Sequence, residues 1–148
     1  MSTKTLITVA TNIVAPIEKV WKRWITPDDI IRWNNASEDW HTPKAENDLQ
    51  VGGKFVYRME AKDGSMGFDF GGIYNQVREN ELIEYTMDDG RNAKIHFKEH
   101  DNKTGTEVVV TFEAEELNPV EMQREGWQAI LDNFKKYVEL NPDTNPWK

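Results

Sequence analysis

The sequence contains no cysteine, which excludes a disulfide framework, a thiol nucleophile and a thiolate metal site. It also lacks any apolar run long enough for a signal sequence or a membrane span, because Met1 to Thr5 leads directly into a strand pattern. Both absences fit a reducing compartment inside the cell. We therefore expect a cytoplasmic protein that does not have a membrane as its partner.

Positive charge is also scarce. The 18 lysine and arginine residues are outnumbered by 26 aspartate and glutamate residues, and the net charge is -8. Nucleic acids and anionic membranes bind basic faces, and no run of lysine and arginine provides one, so we expect no nucleic acid as a partner. With 148 residues, 38% of them hydrophobic, the chain is long enough to bury a core, and we predict a single domain over residues 1–148.

Catalytic and metal-binding patterns are few. No serine lies within a Gly-x-Ser-x-Gly motif, which argues against an acyl-transfer triad. His96 and His100 are four residues apart, but on a strand this spacing separates them by about 13 Å, too far for two ligands of one metal ion. The glycine-containing segment 64–67 precedes no helix and does not suit a phosphate. We therefore predict no catalytic residue, no metal and no cofactor.

Strand patterns dominate the chain up to its last quarter. Leu6 to Val14 is rich in Ile, Val and Thr, which is typical of a strand. After Gly53 apolar residues alternate with polar ones, and the Asp-Gly pairs at 63–64 and 89–90 mark turns. This pattern predicts five consecutive antiparallel strands between Gly53 and Phe112.

Two segments interrupt this regular pattern. Asn34 to Gln50 is polar and irregular, so we predict a long loop there. Near Gly71-Gly72 the apolar residues change face, because Phe68 and Phe70 share one parity and Ile73 has the other. We predict a β-bulge at this glycine pair that bends the sheet.

Helical spacing occurs in three places. A short helix is predicted after Pro16, and a second short helix runs from Thr26 to about Trp33. The longest amphipathic pattern extends from Asn118 to Leu140, with a capping residue and a proline at its start. About 20 residues at 1.5 Å each give a rod of roughly 30 Å, the length of a strand of nine or ten residues. This last helix is long enough to cover a whole sheet.

The order of the elements predicts an α+β fold with a curved antiparallel sheet of about six strands wrapped around the long C-terminal helix. Two short helices follow strand 1. Several segments in the same order also carry a family resemblance: Ala15 to Trp21, Val51 to Gly53, Asp63-Gly64, Phe68 to Tyr74 and Gly126-Trp127.

On these segments the chain resembles the START-like (SRPBCC) superfamily. Within it, the chain is similar to bacterial proteins related to the C-terminal domain of activators of the heat-shock protein 90 ATPase. The resemblance implies a helix-grip fold with a cavity between sheet and helix, often with a hydrophobic small-molecule ligand. It does not imply one reaction.

The candidate ligand-binding residues are mostly apolar side chains predicted to converge between sheet and helix. Trp40 and His41 join them because the resemblance places the mouth of the cavity near the predicted loop. The full set is Trp40, His41, Tyr57, Met59, Phe68, Phe70, Tyr85, Phe97, Trp127, Ile130 and Phe134. The same residues would also suit an ordinary packed core, and the sequence leaves both interpretations open. For His41, a structural role in the loop is favoured over ligand contact.

Two further residues have alternative interpretations. Gly126 weakens the last helix by about 1 kcal/mol relative to alanine, and its missing side chain either leaves room for a ligand or lets a strand approach closely. Arg91 follows Asp88 and Asp89, and it could anchor an acidic ligand at the end of a strand. An ion pair within the turn is favoured for Arg91, because such pairs are common on protein surfaces.

Three functions are compatible with the sequence. The favoured one is a non-enzymatic module that binds a small apolar or aromatic molecule. The second is an interaction protein that stimulates a heat-shock ATPase, although the chain is too short to include the additional N-terminal domain of the eukaryotic activators. The third is a cyclase or hydrolase that uses the same cavity with His41 or Tyr57. Exposed aromatic residues also allow a homodimer.

Overall fold

The fold was obtained from a computed structural model that describes residues 5–100 and 105–140. The strands and helices follow one another in the order that the sequence predicts, with one additional strand. In chain order the elements are β1 (Leu6–Ile13), α1 (Ile17–Ile25), α2 (Pro27–Trp33), β2 (Trp40–Asn47), β3 (Lys54–Ala61), β4 (Gly67–Arg78), β5 (Leu82–Met87), β6 (Asn92–Glu99), β7 (Thr106–Glu113) and α3 (Val120–Leu140).

The strands form one curled antiparallel sheet in the order β1-β7-β6-β5-β4-β3-β2. From β2 to β7 each strand pairs with the next one along the chain, and β1 closes the other edge by pairing with β7. Side chains alternate between the faces of a strand, so β1 buries every second residue from Ile7 to Ile13 and exposes the others. The predicted helix-grip architecture is confirmed.

Helix α3 crosses the concave face and packs closely on β1, α1 and α2, whereas its backbone stays farther from β3, β4 and β5. Leu131, Phe134 and Val138 lie on its buried stripe, with exposed fractions of 2% or less. Because the helix approaches one side of the sheet more closely than the other, a gap separates its backbone from β3 to β5, and only side chains project into that gap.

Polar side chains of α3 cover the free edge of β1. Gln128 donates from Nε2 to the carbonyl of Ala10 at 3.1 Å, and Lys135 donates from Nζ to the carbonyl of Asn12 at 2.6 Å. A carboxylate oxygen of Glu139 accepts a hydrogen bond at 2.9 Å from the backbone N–H of Val14, the residue just after β1. An uncovered strand edge is a template for pairing with another chain, so these bonds both hold the helix and protect the sheet.

The predicted long loop is wrong for its second half, because residues Trp40–Asn47 form β2 and pair with β3. The sequence did not predict this strand because it carries many polar residues, as a strand at the edge of a sheet can. It also contains Pro43, near the register shift between His41 and Lys44. Proline cannot donate to a strand ladder, and edge strands and bulges are the places where a sheet accepts it.

The predicted bulge at Gly71-Gly72 is also misplaced. The register of β3 with β4 is regular through both glycines, and the shift between β4 and β5 lies between Tyr74 and Gln76. The glycines meet a different requirement, because an added Cβ on Gly72 would lie 2.4 Å from the carbonyl oxygen of Thr86. Close approach of neighbouring backbone explains this pair of glycines.

Within the described residues, no helix is long and apolar enough to cross a membrane. The same residues contain no group of three or more His, Asp or Glu side chains arranged to hold a metal ion.

Candidate functional site

A cavity of about 320 Å³ lies between the concave face of the sheet and α3. Strands β3 to β7 supply one wall, α3 supplies the opposite wall, and α1, α2 and the segment after α2 close one end. The gap exists because α3 packs closely on β1 and diverges from β3, β4 and β5.

Most of the predicted site residues line this cavity. They are Tyr57, Met59, Phe68, Phe70, Tyr85, Trp127 and Ile130. Trp127 is held in place by two rings: its indole stacks on Phe112 with centroids 3.9 Å apart, and it meets Phe70 edge to face at 6.1 Å. Phe68 is half exposed, at 48%, so it lies where the cavity reaches the surface.

The structure places Phe97 and Phe134 elsewhere, in the packed core. Phe134 contacts Trp24 and Trp33 with ring centroids 4.9 and 4.7 Å apart. Phe97 contacts Trp21 at 5.2 Å and Trp24 at 5.9 Å. Trp24 and Trp33 do line the cavity, so the two phenylalanines support the wall from behind. Helical periodicity identifies a buried face but not the depth of each side chain within it.

Trp40 and His41 do not line the cavity either. Trp40 packs near Phe68 with ring centroids 6.0 Å apart. The side chain of His41 is 43% exposed, and its Nε2 lies 3.9 Å from a carboxylate oxygen of Glu60. The structure places His41 on the strand β2 rather than in the predicted loop.

Several residues that line the cavity were not predicted from the sequence. They are Trp24, Trp33, Asn34, Ala36, Phe55, Tyr74, Ile83, Ile95, Val110, Glu115 and Leu131. Strand alternation was a usable signal for Phe55, Ile83, Ile95 and Val110, because these residues share parity with predicted inward neighbours. No local signal marks Asn34 or Ala36, since the loop after α2 reaches the cavity only through the tertiary fold.

Polar groups are few in this cavity, and three of them are tyrosine hydroxyls. Tyr74 donates from its hydroxyl to Oδ1 of Asn47 at 2.5 Å, and Nδ2 of Asn47 donates to the carbonyl of Ile25 at 2.7 Å. Burial, followed by the neighbouring hydroxyl of Tyr74, raises the pKa of Tyr57 well above its usual value. Burial likewise raises the pKa of Tyr74 and of Tyr85. All three phenols are therefore neutral hydrogen-bond donors at physiological pH.

Arg91 forms the ion pair within the turn that was favoured from the sequence. Its Nε donates to a carboxylate oxygen of Asp89 at 2.8 Å, which confirms the ion pair within the turn. Another guanidinium nitrogen donates to the backbone carbonyl of Glu113 at 3.1 Å. Partial burial acts to raise the pKa of Asp89, but the backbone and side-chain hydrogen bonds from Arg91 outweigh it and lower that pKa. Arg91 also lines the cavity.

Gly126 borders open space. A Cβ added to this residue would meet no atom within 4 Å, and the residue lines the cavity. The alternative in which a strand approaches the helix closely is therefore excluded. Nearby, Gln123 fixes the entry to α3, because its side-chain oxygen accepts the backbone N–H of Glu115 at 2.8 Å and its Nε2 donates to the carbonyl of Asn118 at 2.8 Å.

Comparison with known protein structures gives close matches over nearly the whole chain. The solution structure of the AHSA1-like protein from Aeromonas hydrophila is 46% identical, with a TM-score of 0.86, and the match covers 92% of this chain and 93% of that one. Chr148 from Cytophaga hutchinsonii is 52% identical, with a TM-score of 0.78, over 94% of this chain and 95% of that one. CV1439 from Chromobacterium violaceum is 25% identical, with a TM-score of 0.82, over 94% of this chain and 99% of that one.

A comparison with curated proteins found no match. Residues 14–139 match the family described as "Activator of Hsp90 ATPase homolog 1-like protein". This range includes both short helices, strands β2 to β7 and almost all of α3. The chain therefore belongs to this family, in agreement with the resemblance found in its sequence.

Proposed function

We propose that the protein is a cytoplasmic binding module that holds a small, largely apolar or aromatic molecule between the sheet and α3. The observation that carries this proposal is a cavity of about 320 Å³ lined mainly by aromatic and aliphatic side chains with a few polar groups. Small-molecule sites are concave, mostly apolar and roughly 300–1,000 Å³ in volume. The cavity lies at the lower end of that range, which favours a ligand of modest size.

The cavity reaches the surface beside Phe68, which is half exposed, so a ligand has a route into it. A ligand that binds only the folded state stabilises that state and should raise the melting temperature.

Chemical-shift perturbation on the isotope-labelled protein tests the proposal. Lipids, polyketides and flavonoids are screened, and binding should shift the signals of Trp127, Phe70 and the facing strands. The matched variants are Gly126→Leu, which places a side chain in the open space beside the helix, and Glu125→Leu, which adds the same side chain at the exposed neighbouring position.

Gly126→Leu should abolish the shifts, and Glu125→Leu should leave them unchanged. The proposal fails if no compound shifts the cavity residues, or if Gly126→Leu binds as the wild-type protein does. Circular dichroism of both variants separates loss of the cavity from loss of the fold.

A second candidate function is stimulation of the ATPase of heat-shock protein 90. The description of the family to which the chain belongs supports it. The test is an ATPase assay with purified chaperone, with and without this protein. A stimulation that persists in Gly126→Leu would place this activity outside the cavity, and an unchanged rate with the wild-type protein removes the candidate.

A further inference from the structure

Tyr85 and Arg91 lie together at one end of the cavity. Tyr85 is on β5 and pairs with Ala93 on β6. Arg91 precedes Ala93 by two residues, so the alternation of a strand directs it to the same face. Both Tyr85 and Arg91 line the cavity, and the Arg91 charge acts on the pKa of Tyr85, opposing the larger effect of burial. Ala93 between them is small and fully buried.

At this end of the cavity, Tyr85 and Arg91 have N–H or O–H donors that no described residue accepts. The side chain of Tyr85 is more than nine-tenths buried, and none of the residues that the structure describes forms a hydrogen bond with its hydroxyl. Arg91 uses two of its guanidinium N–H groups, one toward Asp89 and one toward the carbonyl of Glu113. A guanidinium has five N–H donors, so further donors remain. Both side chains line the cavity, so a molecule held there would lie beside these donors, and an acceptor on that molecule would pair with them.

The charge balance selects the kind of acceptor. Asp89 is ion-paired with Arg91. Glu115 also lines the cavity, where its carboxylate accepts a hydrogen bond from Asn118, and the carboxylate of Glu113 accepts the backbone N–H of Asn92 at 2.6 Å. These carboxylates offset the positive charge of Arg91. An anionic ligand would therefore meet groups of its own charge. A neutral acceptor avoids this repulsion.

We propose that the ligand carries a neutral carbonyl group, whose oxygen accepts hydrogen bonds from the Tyr85 hydroxyl and the Arg91 guanidinium while its apolar body lies against Trp127 and Phe70. This inference rests on the proposed function and adds the polar chemistry of the ligand. A site built to hydrogen-bond a ligand group rejects the analogue that lacks it, because the buried donors are then left unpaired.

Three naphthalene compounds of nearly equal size provide the test. 2-Acetylnaphthalene has the carbonyl, 2-isopropenylnaphthalene replaces its oxygen with a methylene group, and 2-naphthoate carries a charged carboxylate. Affinities are measured by quenching of tryptophan fluorescence and confirmed by calorimetry for the wild-type protein, Tyr85→Phe and Tyr137→Phe. The last variant is the matched control, because Tyr137 binds Asp29 and does not line the cavity.

The wild-type protein and Tyr137→Phe should prefer the ketone over the alkene by more than roughly tenfold, because the carbonyl oxygen accepts from two donors. Tyr85→Phe should lose roughly five- to tenfold of this preference, the effect of one ordinary hydrogen bond. It should keep the part that Arg91 contributes and bind the alkene as the wild-type protein does. The infrared carbonyl stretch of the bound ketone should lie at a lower frequency in the wild-type protein than in Tyr85→Phe. This readout reports the hydrogen bond itself.

Equal affinity for ketone and alkene overturns the inference, as does a preference that Tyr85→Phe retains in full. Tightest binding of 2-naphthoate overturns the neutral character of the ligand. If none of the three compounds binds, the inference fails, whereas the proposed function fails only if the chemical-shift screen also finds no ligand. Thermal melting of Tyr85→Phe checks the fold, and since no residue in the described part of the chain hydrogen-bonds to the hydroxyl, its melting temperature should not fall.

Discussion

Replacing Gly126 with alanine should stabilise the protein. Glycine in the interior of a helix is less favourable than alanine by about 0.8–1.0 kcal/mol, because it loses more backbone freedom on folding. The new Cβ would meet no atom within 4 Å, so no clash offsets this gain. We expect the free energy of unfolding to rise by about 1 kcal/mol and the melting temperature to rise by about 2–4 °C for a chain of this size.

Urea denaturation and thermal melting, both followed by circular dichroism, measure the effect. Ala129→Gly in the same helix is the matched control, and it should lower stability by a similar amount. If α3 instead packed closely at position 126, the added methyl group would overpack the site and cost about 1–3 kcal/mol. A lower stability of Gly126→Ala would therefore refute the open space beside the helix, because the two interpretations predict opposite signs.

Three other substitutions test the fold. Gly72→Ala should destabilise the protein by more than 1 kcal/mol, since its Cβ would lie 2.4 Å from a carbonyl oxygen of β5; urea denaturation checks this. Although partial burial acts in the opposite direction, hydrogen bonds from Lys135 and a backbone N–H lower the pKa of Glu139 below 4.5. Glu139→Gln should therefore lose up to about 1 kcal/mol at neutral pH, and this difference should shrink in melts as pH falls below about 4. Asn133 donates to the carbonyl of Trp33 at 2.8 Å, so Asn133→Ala should speed hydrogen exchange in residues 34–39 while nearly preserving the melting temperature.

The sign of the Glu139 effect follows from the direction of its pKa shift. A carboxylate with a lower pKa in the folded state stabilises the protein above the pKa of the unfolded state, and this contribution is lost as pH falls through the folded-state value. If the difference between Glu139→Gln and the wild-type protein stays constant from pH 7 to pH 3, the hydrogen bonds at the edge of β1 are not those described.

Local sequence was sufficient for the type and order of most elements. Period-two alternation identified the strands from β3 to β7, and the capping residues with the 3.6-residue period identified α3 over nearly its whole length. Both signals are local, because they depend on which face of one element is buried. The family resemblance depended on short segments in a fixed order, and the match over residues 14–139 confirmed it.

The edge strand β2 and the register shift beside Asn75 depended on pairing between distant segments. Trp40–Asn47 has a polar sequence with a proline, and it becomes a strand because β3 offers it a partner. The glycines Gly71-Gly72 carried a signal for special backbone geometry, but sequence could not tell a bulge from the close approach of a neighbouring strand.

Whether an inward side chain borders a cavity or a packed core was likewise decided by the tertiary structure. Phe134 and Trp127 occupy the same face of α3, yet Phe134 is enclosed by Trp24 and Trp33 while Trp127 borders the cavity. A periodic pattern records the direction of a side chain, whereas a cavity depends on the separation of two elements that are distant in sequence. The divergence of α3 from β3, β4 and β5, which leaves space beside Gly126, is therefore a property of the assembled fold.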